Sequence, residues 1–426
     1  MATGSRPAGR TAVRRRVALL RRRRRLRRAL GSSTLAAGMV AGGLHTRPDG
    51  HMSSVATAPA RSAVSAGAPP PTTRPGIPPA PAQPATSWSS DPGERVDREA
   101  ADPGALWADG GLYVYATSAT HCVRGTCRDY RVPRFRSPEP SVQGRLEGDA
   151  MPGRPDWVAP DDDAIWAPAA ARIDDRFVLY FAASAAGSGD ASLKCLGAAI
   201  SPSPAGPFAP LPQPLHCTPD YWSIDPYPVT DGQHWYLLWR QDDGAHVTGR
   251  IVAARLSPDG LALAGSTRRT LLVGNYSWEE GYPADTPGIG PIENPAMARH
   301  PATGEWLLTW SANRWETQHY ATGLAVCAGP LGPCRRTTGA SPWIRTSADP
   351  SIATTARLKG TGGLSFAAGP GNQLYAVLHA YRGAGQAPGA LRVAWAFRVE
   401  PSGTPAGYRL IEIARNHPAE ASVSEA

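Results

Sequence analysis

Along the second half and the middle of this chain, apolar and polar residues alternate in short bursts, and each burst follows a turn. The units read "ADGGLYVYA" from Ala108, "IDDRFVLYFAAS" from Ile173, "TDGQHWYLLW" from Thr230, "ATGEWLLTWS" from Ala302 and "GPGNQLYAVLHAY" from Gly369. A Gly or Asp turn leading into a period-two run predicts a β-hairpin with one face buried. Taking Gly110, Asp175, Gly232, Gly304 and Gly371 as markers, the intervals are 65, 57, 72 and 67 residues. Such a beat holds about four short strands with their loops, and repetition around an axis lets each sheet shield its neighbour's edge. The expected fold is therefore all-β, a five-bladed β-propeller, with the strand "ALRVAWAFRVE" near the end completing the ring. A two-sheet sandwich is the competing architecture.

Composition supports the all-β reading. With 45 Gly, 44 Pro and only 19% charged residues, the chain is built for turns and short elements, not for long surface helices. The first 95 residues stand apart. Residues 1–45 combine an Arg-rich stretch with an apolar run, Ala29–Leu44, that is shorter than the roughly 20 residues of a membrane span. This predicts an export signal or anchor, with "ATAPA" at 56–60 as a cleavage site. Residues 46–95 are Pro-rich and predict a disordered linker. The folded body is expected over 96–415 and a flexible tail over 416–426, placing the protein outside a bacterial cell, secreted or tethered at the membrane, as a monomer.

Charge changes the picture only at the N-terminus. Residues 1–48 hold 13 Arg and no acid, so the net +9 of the chain leaves the remainder at −4. A nucleic-acid partner is thereby excluded for the body. Six cysteines fit an oxidising compartment. The spacings favour Cys122 with Cys127 and Cys327 with Cys334 as hairpin staples, leaving Cys195 with Cys217. Neither a Cys-x-x-Cys nor a paired-His spacing supports zinc, and there is no nucleophile elbow, phosphate loop or dinucleotide fingerprint.

The candidate chemistry lies in carboxylates at the heads of the beats. Asp102 in "ADPGALWADGGLYVYATS", Asp225 in "SIDPYPVTDGQHWYLLW" and Glu293 in "IENPAM" occupy comparable places in beats one, three and four. In a propeller these positions converge at the mouth of the central channel. Glycosidic cleavage needs one protonated and one ionised carboxyl, and a third acid can raise the donor's pKa.

These motifs, with "IWAPAAARIDDRFVLYFAAS" and "YATGLAVCAGPLGPC", resemble glycoside hydrolase family 43, over about Asp97 to Glu400. The resemblance implies a five-bladed propeller enzyme acting on arabinose- or xylose-containing polysaccharide or oligosaccharide by inversion. It places the general base on Asp102, the pKa-modulating and orienting acid on Asp225 and the general acid on Glu293. Trp166 and His379 are the expected substrate-binding residues, the first as a platform for a sugar ring, each with core packing as the alternative role.

Two departures stand out against the family pattern. Gly363 in "GTGG" occupies the place of a His often tied to a bound ion, and Ala169 in "WAPA" replaces an acid. No metal or other cofactor is therefore expected to be required. The acidic run Asp161–Asp163 reads as a solvated loop, with a structural calcium as the lesser alternative, and Asp109, Asp174 and Asp231 read as turn residues. A carbohydrate-binding propeller without turnover and a retaining β-fructosidase-like hydrolase are the other functional readings.

Overall fold

The computed structural model describes residues 99–412 apart from 124–125, 140–143, 188–192, 220, 243–248, 281–291, 346–357 and 382–390. The expected signal, linker and C-terminal tail lie outside the described residues. What is described forms five four-stranded antiparallel sheets, the propeller that the beats predict, and not a sandwich.

Blade one comprises β1 (Gly104–Ala108), β2 (Gly111–Tyr115), β5 (Pro133–Ser137) and β6 (Arg145–Asp149), with the hairpin β3 (Ala119–Val123) and β4 (Thr126–Tyr130) inserted after β2. Blade two is β7 (Trp166–Ile173), β8 (Arg176–Ser184), β9 (Lys194–Ser201) and the short β10 (Ala209–Pro210). The third is β11 (Ser223–Thr230), β12 (Trp235–Asp242), β13 (Gly249–Arg255) and β14 (Arg269–Val273). The fourth is β15 (Ile292–Arg299), β16 (Trp306–Ala312), β17 (Ala321–Cys327) and β18 (Cys334–Arg336). Blade five is β19 (Lys359–Gly369), β20 (Gln373–Tyr381), β21 (Arg392–Pro401) and β22 (Tyr408–Glu412). The turns that set the beat sit between the first two strands of each blade. Asp109 and Asp174 there take φ of 48° and 55°, a left-handed conformation that Asp tolerates. Asp231 accepts the backbone N–H groups of Gln233 and His234 on Oδ1, as a turn residue should.

The inner strands β1, β7, β11, β15 and β19 neighbour one another in cyclic order, and β1 also meets β19, so the ring is closed. Each gap between blades carries its own apolar core. Phe177, Leu179 and Phe181 of blade two face Tyr113 and Tyr115 of blade one, and Leu364, Leu378 and Phe397 of blade five meet Leu307 and Leu324 of blade four. The gap between blades five and one is filled largely by smaller residues, Ala100, Ala105, Ala367, Val114 and Val377. There the closure is polar as well. The Glu99 carboxylate accepts Arg392 N and Nε at 2.8 and 2.9 Å, and Ala100 N donates to the Arg392 carbonyl at 2.7 Å. All three disulfides pair as expected from spacing: Cys122–Cys127, Cys195–Cys217 and Cys327–Cys334.

Candidate active site

One backbone device recurs at the head of every inner strand. Asp102, Ala167, Asp225, Asn294 and Gly363 have φ of 49°, 44°, 57°, 48° and 58°. The first four each precede a proline, Pro103, Pro168, Pro226 and Pro295. A proline has no N–H for a ladder, so the pairing breaks there. The breaks fall between Trp166 and Ala169, Ile224 and Tyr227, and Glu293 and Ala296, with a further shift between Gly362 and Ser365. Each bulge re-aims the preceding side chains toward the axis. This explains the repeated Asp-Pro: the carboxylate needs a strand that stops pairing at the channel mouth.

The equivalence corrects one expectation. The residue of blade four that matches Asp102 and Asp225 is Asn294, and Glu293 stands one place earlier, matching Trp166 and Ile224. Two successive positions therefore build the site. Asn294-Pro295 was the visible signal, since it repeats the X-Pro of the other blades.

These residues open onto a cavity of about 510 Å³, within the size range of small-ligand sites. Asp102, Asp225 and Glu293 share it with Asn294, Arg240 and Tyr320. Asn294 bonds two of the acids directly and reaches the third through Tyr320. Its Nδ2 donates to Asp102 Oδ1 at 3.1 Å, and its backbone N donates to Asp225 Oδ2 at 2.9 Å. The hydroxyl of Thr117 donates to Asp102 Oδ2 at 2.8 Å. Glu293 accepts Tyr320 Oη–H on Oε1 at 2.7 Å and the Arg240 guanidinium on Oε2. Asparagine and tyrosine are themselves linked, Asn294 Nδ2 lying 3.1 Å from Tyr320 Oη.

The environment splits the acids electrostatically. Burial pushes the Asp102 carboxyl up, but Arg392 leads a set of favourable interactions, including the bonds from Thr117 and Asn294, that bring it below its ordinary value. Burial raises Asp225 well above the usual carboxylate range, and the charges of Glu293 and Asp102 push the same way. Glu293 is also raised, by burial first, against the opposing pull of Arg240 and Tyr320. One acid is thus held ionised beside two that keep their protons to higher pH, the division that acid–base chemistry requires.

The other expected residues fall into two groups. Trp166 lines the cavity, edge-on to Trp222 at 6.2 Å. Behind it lies the buried Lys194, whose Nζ is 3.9 Å from the Trp166 ring centroid and 3.0 Å from Asp162 Oδ2. Asp162 also accepts the Ser184 hydroxyl at 2.5 Å, and Asp163 pairs with Arg131 at 2.6 Å. Two of the three acids of the run, Asp162 and Asp163, are therefore engaged with cations, while Asp161 is exposed as expected for a solvated loop. His379 does not line the cavity. It is fully buried behind the Asp102 backbone, whose N–H donates to His379 Nδ1 at 3.0 Å, and it stacks on Tyr320 with centroids 5.7 Å apart. The expected contact between His379 and substrate has a physical obstacle: the ring's accepting nitrogen is spent on the main chain.

At Gly363, an added Cβ would come within 2.7 Å of His379 Nδ1 and 3.1 Å of Asp102 Cα. The glycine makes room for the histidine arriving from β20. Ala169, the second departure, is buried in the ring wall, and its Cα would lie 2.8 Å from a Cβ on Gly104.

Tyr320, which opens the "YATGLAVCAGPLGPC" motif, also shapes the cavity, together with Arg240, Asp242, Trp222, Trp315 and Arg392, which lie outside the motifs quoted for the family. Arg392 stands over the Trp315 ring at 4.7 Å.

Comparison with known proteins agrees with this architecture. The model of "Glycosyl hydrolases family 43" matches residues 96–405. No curated protein sequence matches the chain. Among solved structures, a thermostable family-43 glycoside hydrolase aligns with a TM-score of 0.58 and 22% identity, covering 73% of this chain and 92% of the other. An endo-1,4-β-xylanase from Bacteroides thetaiotaomicron gives 0.54 and 21%, covering 74% and 94%. An α-L-arabinanase from Cellvibrio cellulosa, complexed with arabinohexaose, gives 0.52 and 17%, covering 73% and 95%. At these identities the likeness is one of fold.

Proposed function

Because this chain belongs to glycosyl hydrolase family 43 and is a glycoside hydrolase, we propose that it cleaves arabinose- or xylose-containing oligosaccharides or polysaccharides by a single inverting displacement. In this reading Asp102, ionised, takes a proton from water as that water attacks the anomeric carbon. Glu293, protonated, gives its proton to the departing glycosidic oxygen. Asp225 holds the backbone of Asn294 and so orients the site, while burial and the Asp102 charge work against ionisation of Glu293. Inverting enzymes separate acid from base by about 6.5–9.5 Å so that the water fits between them.

The observation that carries the proposal is the split around Asn294: Asp102 lowered, Glu293 and Asp225 raised, all three on one cavity. Trp166 would stack on a sugar ring, and its partner Trp222 would hold the indole upright. The names of the fold relatives, a xylanase and an arabinanase, support pentose-containing substrates. Export is part of the same proposal, supported by the Arg-rich, then apolar N-terminus and by three paired disulfides.

The test is hydrolysis of nitrophenyl arabinofuranoside, nitrophenyl xyloside and defined arabino- and xylo-oligosaccharides, with proton NMR of the first-formed anomer. Inversion, and loss of at least about 10³-fold in kcat for Asp102→Asn, are expected. A retained anomer or full activity in Asp102→Asn or Glu293→Gln would defeat the assignment.

A further inference from the structure

Glu293 is held in an unusual way for a group that must give up a proton. Both its oxygens accept: Oε1 from Tyr320 Oη at 2.7 Å, Oε2 from Arg240 Nη1. The guanidinium that meets it is not free to move. Arg240 is 7% exposed and clamps Asp242, two residues along β12, through Nε to Oδ1 at 2.5 Å and Nη2 to Oδ2 at 2.9 Å. Asp242 itself is 1% exposed. A buried bidentate pair of this kind fixes the fork in space, and a lysine could not reproduce it.

We propose that the Arg240–Asp242 pair is a positioning device for Glu293, which aims its carboxyl into the cavity and sets the pH above which the enzyme stops working. The inference rests on the reading of Glu293 as the general acid. When Glu293 passes its proton to the glycosidic oxygen, the carboxylate that remains is received by the Arg240 and Tyr320 donors already in place. Asp242 tempers this. By neutralising much of the guanidinium charge it keeps Arg240 from holding Glu293 permanently ionised, which would abolish its role as a donor. The charged and titratable groups facing Glu293 are Arg240 and Asp242 from β12, Tyr320 ahead of β17, Asp225 from β11 and Asp102 ahead of β1.

The two partners therefore have opposite signs. Removing the cation in Arg240→Met lets Glu293 keep its proton to higher pH, so the basic limb of the kcat/KM profile moves up by about one pH unit. Removing the anion in Asp242→Asn leaves the guanidinium uncompensated, and the same limb moves down by about one unit. A purely structural role predicts that both variants lose activity without such opposed shifts.

The experiment measures both profiles, and in parallel follows the ¹³C carboxyl titration of Glu293, assigned by its disappearance in Glu293→Gln. The titration needs no turnover, so it reads the coupling even where the hydrolytic assignment itself fails. Should Arg240→Met not fold, Asp242→Asn and Arg240→Lys supply the readout: the lysine keeps the charge, so the titration stays within about half a unit of the wild type, but it loses the fork that aims the carboxyl, so kcat falls. Opposite movement of Arg240→Met and Asp242→Asn, or in its place the downward shift of Asp242→Asn with Arg240→Lys unmoved, sustains the proposal. Movement in the same direction, or no movement in Asp242→Asn, overturns it.

Discussion

Asn294 Nδ2 donates to Asp102 Oδ1 across 3.1 Å, a bond between residues 192 positions apart that joins blade four to blade one. Its backbone N–H simultaneously serves Asp225. A neutral amide, not a fourth acid, thus stands at the centre of the carboxylates, and it supplies donors without adding repulsion.

Replacing Asn294 should separate orientation from backbone strain. At φ 48° an alanine is strained by about 1 kcal/mol or more, whereas glycine is not. Asn294→Gly removes the amide and leaves the backbone relaxed, and a loss in kcat of about 10²-fold is expected with little change in melting temperature. Asn294→Ala should show the same kinetic loss plus a lower melting temperature. Steady-state kinetics and thermal denaturation of the pair check both statements.

Gly363 should not accept a side chain. With φ at 58° and His379 Nδ1 in the place of the new Cβ, Gly363→Ala is expected to cost about 2–3 kcal/mol and to displace the Asp102 backbone. Urea denaturation reads the first effect. A fall in kcat exceeding any rise in KM reads the second.

His379 makes stability depend on pH. Burial, then Arg392, bring its imidazole down to about 3 from an ordinary 6.5. Between those values the unfolded chain binds a proton that the folded chain refuses. Stability from this residue is therefore complete above about pH 6.5 and is lost as pH falls toward 3, by up to on the order of 4–5 kcal/mol. His379→Gln keeps an acceptor for Asp102 N–H without titrating, so its unfolding free energy should vary less between pH 6.5 and 4 than that of the wild type. Parallel denaturation curves across this window provide the comparison.

Lys194 should matter to substrate binding although it is buried. Its ammonium lies against the Trp166 ring and is held by Asp162. Lys194→Met removes the support, and Asp162 is left without its cation. The expected outcome is a KM raised about 5- to 30-fold with kcat changed less, because the cation–ring contact is worth about 1–2 kcal/mol when desolvated. Equal losses in kcat and kcat/KM would assign Trp166 a different role.

Much of this molecule is legible along the chain because its repeating parts are local. A turn at Asp109 and Gly110 followed by alternating residues specifies a hairpin whatever lies elsewhere, and five such units at similar intervals specify the ring. Cysteines five and seven residues apart pair within one hairpin for the same reason. Asp102 and Asp225 were recognisable from their prolines. Glu293 stands one residue before the position of Asp102 and Asp225, because the bulge, which is the same in blades two, three and four, lets two successive positions reach the cavity, and the Asn294-Pro295 pair marks the shared register.

By itself, then, the sequence determined the blade count, favoured the disulfide pairing and pointed to three acids at the heads of the beats. Only the tertiary structure decided what each acid touches: Arg240 on Glu293 from 53 residues away, His379 on Asp102 from 277, Asn294 between blades. It also decided that Asp162 and Asp163 pair with cations and that His379 faces the main chain. Hydrophobic alternation and turn chemistry act over a few residues and leave a visible period. A buried hydrogen bond or charge pair forms between whatever groups the closed ring brings within about 3 Å, and its partners need share no pattern that a linear reading can detect.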